Sequence, residues 1–189
     1  MSFERDIIIF LQSLSTPFID GVFKVMAYFF DYPLVIALGL ILFACKKYRE
    51  GIYFLILEGA GLLVQRVLKA IISRPRPYLT YPEINNVLQA SHSSFPSGHS
   101  VTCMMAVVIL WVMVNNSKLK QNHKILCRTG LVLALVLCAL NRMYLGQHYI
   151  TDVLAGFAIA IVIGVVIVRC FYLKPRKKEM KESHEEEKE

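Results

Sequence analysis

The sequence predicts an all-α protein, a polytopic membrane bundle of about six helices, and three features of composition support this fold class. Hydrophobic residues make up 56% of the 189 residues, charged residues only 19%, and the mean hydropathy is +0.50. Many of the charged residues fall in short clusters between apolar runs, a pattern typical of polytopic membrane proteins. The formal net charge of +7 would suit nucleic acid, but basic clusters beside apolar runs are typical of cytoplasmic anchors. We therefore predict a lipid bilayer, and no nucleic acid, as a partner.

The N-terminal region, residues 1–31, contains two short apolar stretches. Residues 3–14 are too few for a span, and residues 16–30 include Asp20 and Lys24. Neither stretch offers the ~20 consecutive apolar residues that a membrane-spanning helix needs. We interpret this region as amphipathic helices that lie near one membrane interface. The alternative is a single imperfect spanning helix.

Residues 32–173 contain five stretches that we predict to span the membrane as one domain. The first is short, so its helix should begin near Ala27, and the third is short unless it includes residues 97–99 and 115–116. A charged tail, residues 174–189, follows and is expected to be cytoplasmic and disordered. The five predicted spans are residues 32–45, 51–73, 100–114, 129–145 and 148–173.

Polar and small residues within the predicted spans indicate how the helices face one another. The prolines of Arg74-Pro75-Arg76-Pro77 end the second span, and residues 78–98 form a polar loop. Small residues four apart in the last span allow close helix contact: Gly156, Ala160 and Gly164. Polar groups in a membrane helix usually face the bundle interior or a wet cavity. The second span carries four of them: Glu58, Gln65, Arg66 and Lys69.

Basic clusters predict the orientation of the chain in the membrane. By the count of spans, residues 46–49, 118–128 and 174–178 fall on one side, which the excess of Lys and Arg marks as cytoplasmic. The loop 74–98 and the turn 146–148 then lie on the outer side, extracellular or periplasmic. Five polar residues should therefore converge at this outer face: Lys69, Arg76, His99, Arg142 and His148.

The residues at this face have the chemistry that phosphoryl transfer requires. Pro96-Ser97-Gly98-His99 opens a predicted helix, where free N–H groups and the helix dipole favour an anion. His148 and Asp152 are four residues apart and share a helix face. The carboxylate of Asp152 can accept a hydrogen bond from one imidazole nitrogen, which leaves the other nitrogen free as a nucleophile.

Three positive side chains complete this pattern. Lys69, Arg76 and Arg142, together with the backbone of Ser97 and Gly98, match the charge of a phosphate dianion, and His99 can protonate a leaving oxygen. Each residue also has a structural interpretation: Lys69 can snorkel to the interface, the arginines can anchor helix ends, and the His148–Asp152 pair can cap a helix. The convergence of all of them at one face favours the chemical interpretation.

The three segments resemble the signature of the type 2 phosphatidic acid phosphatase superfamily. That signature reads Lys-x6-Arg-Pro, then Pro-Ser-Gly-His, then Ser-Arg-x5-His-x3-Asp. The first two parts match at Lys69 to Pro77 and at Pro96 to His99, and the third departs only at Asn141, where the family usually has Ser. The resemblance covers residues from about Gly51 to Gly156, more than half of the chain. It implies a six-helix membrane core, and the apolar context argues against the soluble haloperoxidase branch.

The resemblance also implies the roles of the residues. His148 is the nucleophile that forms a phosphohistidine, Asp152 orients it, and His99 protonates the leaving group. No metal or other cofactor is needed. The phosphoryl oxygens are held by Lys69, Arg76, Ser97, Gly98, Arg142 and Asn141.

The expected partner is a membrane lipid phosphate or pyrophosphate, of the isoprenoid pyrophosphate, phosphatidylglycerophosphate or phosphatidic acid type. The sequence does not choose among these substrates, and it leaves the oligomeric state open. Two alternatives to the phosphatase use the same pocket: a phosphotransferase with the same intermediate, and a non-catalytic protein that binds or transports lipid headgroups. The presence of both histidines and Asp152 favours an enzyme, because an anion binder needs only the positive groups.

Overall fold

The protein is all-helical in the computed structural model, which describes residues 2–29, 32–88 and 93–172. These residues form eight α-helices and no β-strand, so the predicted fold class is confirmed. The predicted tail, residues 174–189, lies outside the described residues. The helices are α1 (Ser2–Ser13), α2 (Pro17–Phe29), α3 (Tyr32–Ala44), α4 (Tyr48–Ile72), α5 (Pro77–Thr80), α6 (Gly98–Asn116), α7 (Gln121–Tyr144) and α8 (Ile150–Ile167), which continues into a π-helical turn (Val168–Tyr172).

Three helices among the described residues are long and apolar enough to cross a membrane: α6 with 19 residues, α7 with 24, and α8 with its extension to Cys170, 21 residues. They correspond to the last three predicted spans. The second predicted span is α4, which has 25 residues and carries polar side chains along its length. The first is α3, which has only 13 residues and is shorter than the ~20 that a perpendicular span requires.

The N-terminal region forms two helices, α1 and α2, which meet at an angle of 119° across a short break. Taken together, the pair has the length and composition of a fourth span that is broken or re-entrant. The prediction that α3 begins near Ala27 is wrong, because Ala27 belongs to α2 and α3 begins at Tyr32. The placement of α1 and α2 at a membrane interface stays a prediction.

Two other helix boundaries differ from the sequence analysis. Helix α7 begins at Gln121 instead of Thr129, because Gln, Lys, Leu and Arg all have good helix propensity and continue the helix past its apolar part. The loop 78–98 starts with a helical turn, α5, whose first residue is Pro77, a position where proline costs no hydrogen bond. Helix α6 includes Gly98, His99 and residues 115–116 of the extensions that its length required, and Ser97 is its N-cap.

Helix α6 lies at the centre of the bundle and packs closely against α8. A Cβ atom on Gly156 would lie 2.8 Å from the carbonyl oxygen of Ser97 and 2.9 Å from Cβ of Ser100. A Cβ atom on Gly164 would lie 2.9 Å from Cγ1 of Val108, and Ala160 between the two glycines is fully buried. The predicted close contact is therefore confirmed. It holds the N-terminus of α6 against α8, at the end of the bundle where α4 and α7 also end.

Candidate active site

A cavity of about 890 Å³ opens at this end of the bundle. Its walls come from the C-terminal part of α4, the segment that follows α4, the start of α6, the end of α7 and the turn before α8. Residues from all three sequence segments therefore line one cavity. Six of the predicted site residues line it: Lys69, Arg76, Gly98, His99, Arg142 and His148.

The imidazole of His148 is buried and has a defined tautomer. Its Nδ1 lies 2.7 Å from the carbonyl oxygen of Ser94, which can only accept a hydrogen bond, so Nδ1 carries the proton and Nε2 keeps its lone pair. The predicted bond to Asp152 is absent, because Oδ2 of Asp152 lies 3.7 Å from Nδ1, beyond hydrogen-bond distance. The carbonyl of Ser94, and not the carboxylate of Asp152, fixes the tautomer in this structure.

The protonation state of His148 follows from its surroundings. Burial lowers the pKa of His148 to about 4, and the positive charges of Arg76 and Lys69 act in the same direction, against the opposing effect of Asp152. The ring is therefore neutral at pH 7 and gains a proton only as the pH falls towards 4. A neutral imidazole with a free Nε2 is the form that can attack phosphorus.

The carboxylate of Asp152 is fully buried at the third position of α8. Its Oδ2 accepts a hydrogen bond from the backbone N–H of Tyr149 at 3.0 Å, and its Oδ1 accepts one from Nη1 of Arg74 at 2.6 Å. The backbone carbonyl of Asp152 accepts from the N–H of Ser97 at 3.1 Å. Asp152 thus caps the helix that follows His148 and connects that helix to the start of α6.

The three predicted cations are each held in place by neutral oxygen atoms. Nζ of Lys69 donates to the carbonyl of Ser93 at 2.6 Å. Nη1 of Arg76 donates to Oε1 and to the carbonyl of Gln147, at 2.8 and 3.2 Å. Nε and Nη2 of Arg142 both donate to Oδ1 of Asn141, the first at 2.9 Å. These acceptors orient the positive groups.

Asn141 and Ser97 lie behind the wall of the cavity. Asn141 is fully buried; besides accepting from Arg142, its Nδ2 donates to the carbonyl of Phe23 in α2 at 2.7 Å. Ser97 is also fully buried and is the N-cap of α6: its Oγ accepts from the N–H of Ser100 at 3.4 Å and from the hydroxyl of Ser100 at 2.8 Å. The structure therefore places Asn141 next to Arg142, and the hydroxyl of Ser97 at the helix start.

Some residues of this network were not predicted from the sequence. Gln147 binds Arg76 and also donates from Nε2 to Oδ1 of Asn86 at 3.0 Å and to the carbonyl of Leu88, so it ties the site to the loop after α5. Arg74 has no predicted part in the site, although it lies between Lys69 and Arg76 in the sequence. Within residues 2–29, 32–88 and 93–172, no group of three His, Cys, Asp or Glu residues could hold a metal ion.

Comparisons with known proteins match the chain to one family. Residues 50–176 match the family model of the PAP2 superfamily. The chain is 31% identical over 149 residues to phosphatidylglycerophosphatase B of Bacillus subtilis (strain 168). This match covers 78% of the chain and 70% of that protein. It is 29% identical over 151 residues to undecaprenyl-diphosphatase BcrC of the same organism, over 77% of this chain and 73% of that protein.

A solved structure has a similar fold over nearly the whole chain. The crystal structure of a transmembrane PAP2 type phosphatidylglycerolphosphate phosphatase from Bacillus subtilis superposes with a TM-score of 0.78 at 27% sequence identity. The match covers 93% of this chain and 87% of the other. The matched share is larger than the region of the family model, residues 50–176.

Proposed function

The chain belongs to the PAP2 superfamily, and from this premise we propose that it is a membrane phosphatase that hydrolyses lipid phosphates or pyrophosphates through a phosphohistidine. Two relatives are named for the removal of phosphate from membrane lipids. The observation that carries the proposal is the single cavity that His148, His99 and three cations line together. A protein that only binds headgroups would need the cations and neither histidine.

The first half of the proposed reaction forms the intermediate. Nε2 of His148 attacks the phosphorus of the substrate, the new N–P bond forms, and the bond between phosphorus and the lipid oxygen breaks. The proton stays on Nδ1 of His148, hydrogen-bonded to the carbonyl oxygen of Ser94. This hydrogen bond stabilises the positive charge that develops on the ring. His99 gives a proton to the departing lipid oxygen.

The second half releases phosphate and restores the enzyme. Water attacks the phosphorus of the phosphohistidine, His99 takes a proton from this water, and the N–P bond breaks. Lys69, Arg76 and Arg142 stabilise the charge on the phosphoryl oxygens in both halves, because they are fixed before the substrate arrives. The N–H groups at the start of α6, beside Gly98, add a dipole of the correct sign.

Phosphate release in detergent tests this function. We expect the purified protein to release inorganic phosphate from at least one of phosphatidylglycerophosphate, an isoprenoid pyrophosphate or phosphatidic acid. The rate should survive EDTA, because Lys69, Arg76 and Arg142 supply the positive charge. A rate that EDTA abolishes and Mg²⁺ restores would contradict the proposed mechanism. Release of a phosphorylated acceptor instead of phosphate would indicate the phosphotransferase, and binding without turnover would indicate a headgroup-binding protein.

We further propose that the cavity faces the outside of the cell and the C-terminal tail faces the cytoplasm. The basic residues between α3 and α4 and those at the start of α7 lie at the ends of helices opposite to the cavity, which supports this orientation. In a background without the five native cysteines, a cysteine at Glu83 should react with an impermeant maleimide in intact cells. A cysteine at Gln121 should react only after the cells are opened. The reverse pattern would place the chemistry in the cytoplasm.

A further inference from the structure

Glu4, in the first turn of α1, reaches the start of α8 across the active-site end of the bundle. Its Oε1 accepts hydrogen bonds from the backbone N–H and the hydroxyl of Thr151, at 3.2 and 2.6 Å. Its Oε2 accepts from Nη2 of Arg74 at 3.0 Å. Glu4 is buried, with 8% of its surface exposed, and it lies outside the region that matches the family model, which begins at residue 50.

The guanidinium of Arg74 joins Glu4 to Asp152. While Nη2 binds Glu4, Nη1 donates to Oδ1 of Asp152 at 2.6 Å and to the hydroxyl of Thr151 at 2.7 Å. The same group stacks on the ring of Tyr149, with Cζ 3.9 Å from the ring centroid. Two carboxylates, from α1 and from α8, thus fix one arginine in a single orientation, as planar charge-assisted pairs do.

This network ends at the nucleophile. Asp152 binds the backbone N–H of Tyr149, which directly follows His148. Glu4 binds the N–H of Thr151, one of the N–H groups at a helix start that have no partner within the helix. Any shift of Arg74 or of the first turn of α8 would therefore move the backbone that carries His148.

We propose that Glu4 is a positioning residue for the reaction: it holds Arg74 and the start of α8, and through them Asp152 and His148. The N-terminal helix then completes an active site whose reacting groups all come from the family domain. This inference needs the protein to be a phosphatase, but it goes beyond that function because it assigns a role to α1.

Other contacts hold α1 in place without Glu4, which makes the proposal testable. The side chain of Gln12 donates to the carbonyls of Asn85 and Tyr144, at 2.9 Å each, and accepts from the N–H of Asn85 at 2.9 Å. Arg5 forms an ion pair with Glu83 at 3.7 Å on the exposed side of the helix. These contacts dock α1 and do not touch the network of Arg74, so they provide matched controls.

The experiment compares Glu4→Gln with Glu83→Gln, using phosphate release from phosphatidylglycerophosphate and from p-nitrophenyl phosphate in detergent. Glu4→Gln keeps the shape of the side chain and removes the charge that Arg74 binds. We expect kcat to fall about tenfold with little change in KM, because small displacements of reacting groups are costly. Glu83→Gln should stay within about twofold of the wild type, because exposed ion pairs contribute little. Glu4→Asp, which keeps the charge, should have a kcat between those of Glu4→Gln and the wild type.

A double variant shows whether Glu4 acts through Arg74. In an Arg74→Gln background, Glu4→Gln should change kcat by less than about twofold, because the shared interaction is already lost. Wild-type kcat in Glu4→Gln, or a full additional loss in the double variant, would overturn the proposal. The proposal would also be overturned if the melting temperature of Glu4→Gln fell as far as that of Gln12→Ala while its kcat did not fall. If the wild type released no phosphate from phosphatidylglycerophosphate, from an isoprenoid pyrophosphate or from phosphatidic acid, the proposed function itself would fail; if it is active only on one of the latter two, that lipid replaces phosphatidylglycerophosphate in the comparison.

Discussion

Replacement of His148 by alanine is expected to lower the rate of hydrolysis of every substrate by roughly 10³-fold or more, as loss of a nucleophile does in other enzymes. Six predicted residues line the cavity, and His148 combines a tautomer fixed by Ser94 with a ring that is neutral at pH 7. The measurement is phosphate release, together with trapping of labelled phosphate on the denatured protein. The wild type should carry phosphate that is labile in acid and stable in base, and the variant should carry none.

His123→Ala is the matched control for this prediction. His123 is exposed in the first turn of α7, at the end of the helix opposite to the cavity, so its loss should leave the rate unchanged. Because alanine at position 148 leaves the Ser94 carbonyl without its donor, His148→Gln, which can supply an N–H, separates loss of chemistry from loss of structure. More than a few per cent of the wild-type rate in both His148 variants would show that another group attacks phosphorus.

Replacement of His99 by alanine should have an effect that depends on the leaving group. A general acid contributes roughly 10²–10⁴-fold when the leaving group is a poor one, such as a lipid alkoxide. It contributes little when the group departs as a stable anion. We therefore expect His99→Ala to lose most of its activity on a lipid monophosphate and to retain more on p-nitrophenyl phosphate. The ratio of kcat/KM values for the two substrates, converted to a free-energy difference, measures the contribution of the acid.

The comparison with His148 makes this prediction specific. His148→Ala should lose both activities, because every substrate needs the nucleophile. Equal proportional losses on the two substrates in His99→Ala would mean that this residue binds the phosphoryl oxygens and does not transfer a proton. Activity that returns selectively on the activated ester in His148→Ala would mean that the two roles are reversed.

The convergence of the three motif segments could be predicted from the sequence because few rules determine it. Apolar runs and prolines fix the helix ends, and the count of spans then brings Lys69, His99 and His148 to the same end of the bundle. Neighbouring residues also determine the start of α6 at Gly98, since Ser97 is an N-cap whose side-chain oxygen accepts a hydrogen bond from the helix. The positions of these helix ends are therefore accessible to sequence analysis.

The partners of these residues could not be predicted, for two physical reasons. The group that fixes the tautomer of His148 is the backbone carbonyl of Ser94, and every residue has such a carbonyl, so no side chain signals it. Glu4 contacts Thr151 across 147 residues of sequence, and a contact of that range depends on how α1 docks. The helical start of α7 at Gln121 was missed because apolar runs mark the membrane, and a helix can continue beyond it into water.

The close approach of α6 and α8 at Gly156 has a consequence for how the enzyme tolerates its lipid surroundings. Helices adapt to thicker or thinner bilayers by changing their tilt, which in a loosely packed bundle would alter the spacing between neighbouring helices. Here the backbone of Ser97 and the side chain of Ser100 rest directly on Gly156, so the two helices tilt as one unit. The distance between Ser97 at the start of α6 and Asp152 is thereby set by backbone contact, independently of the thickness of the membrane.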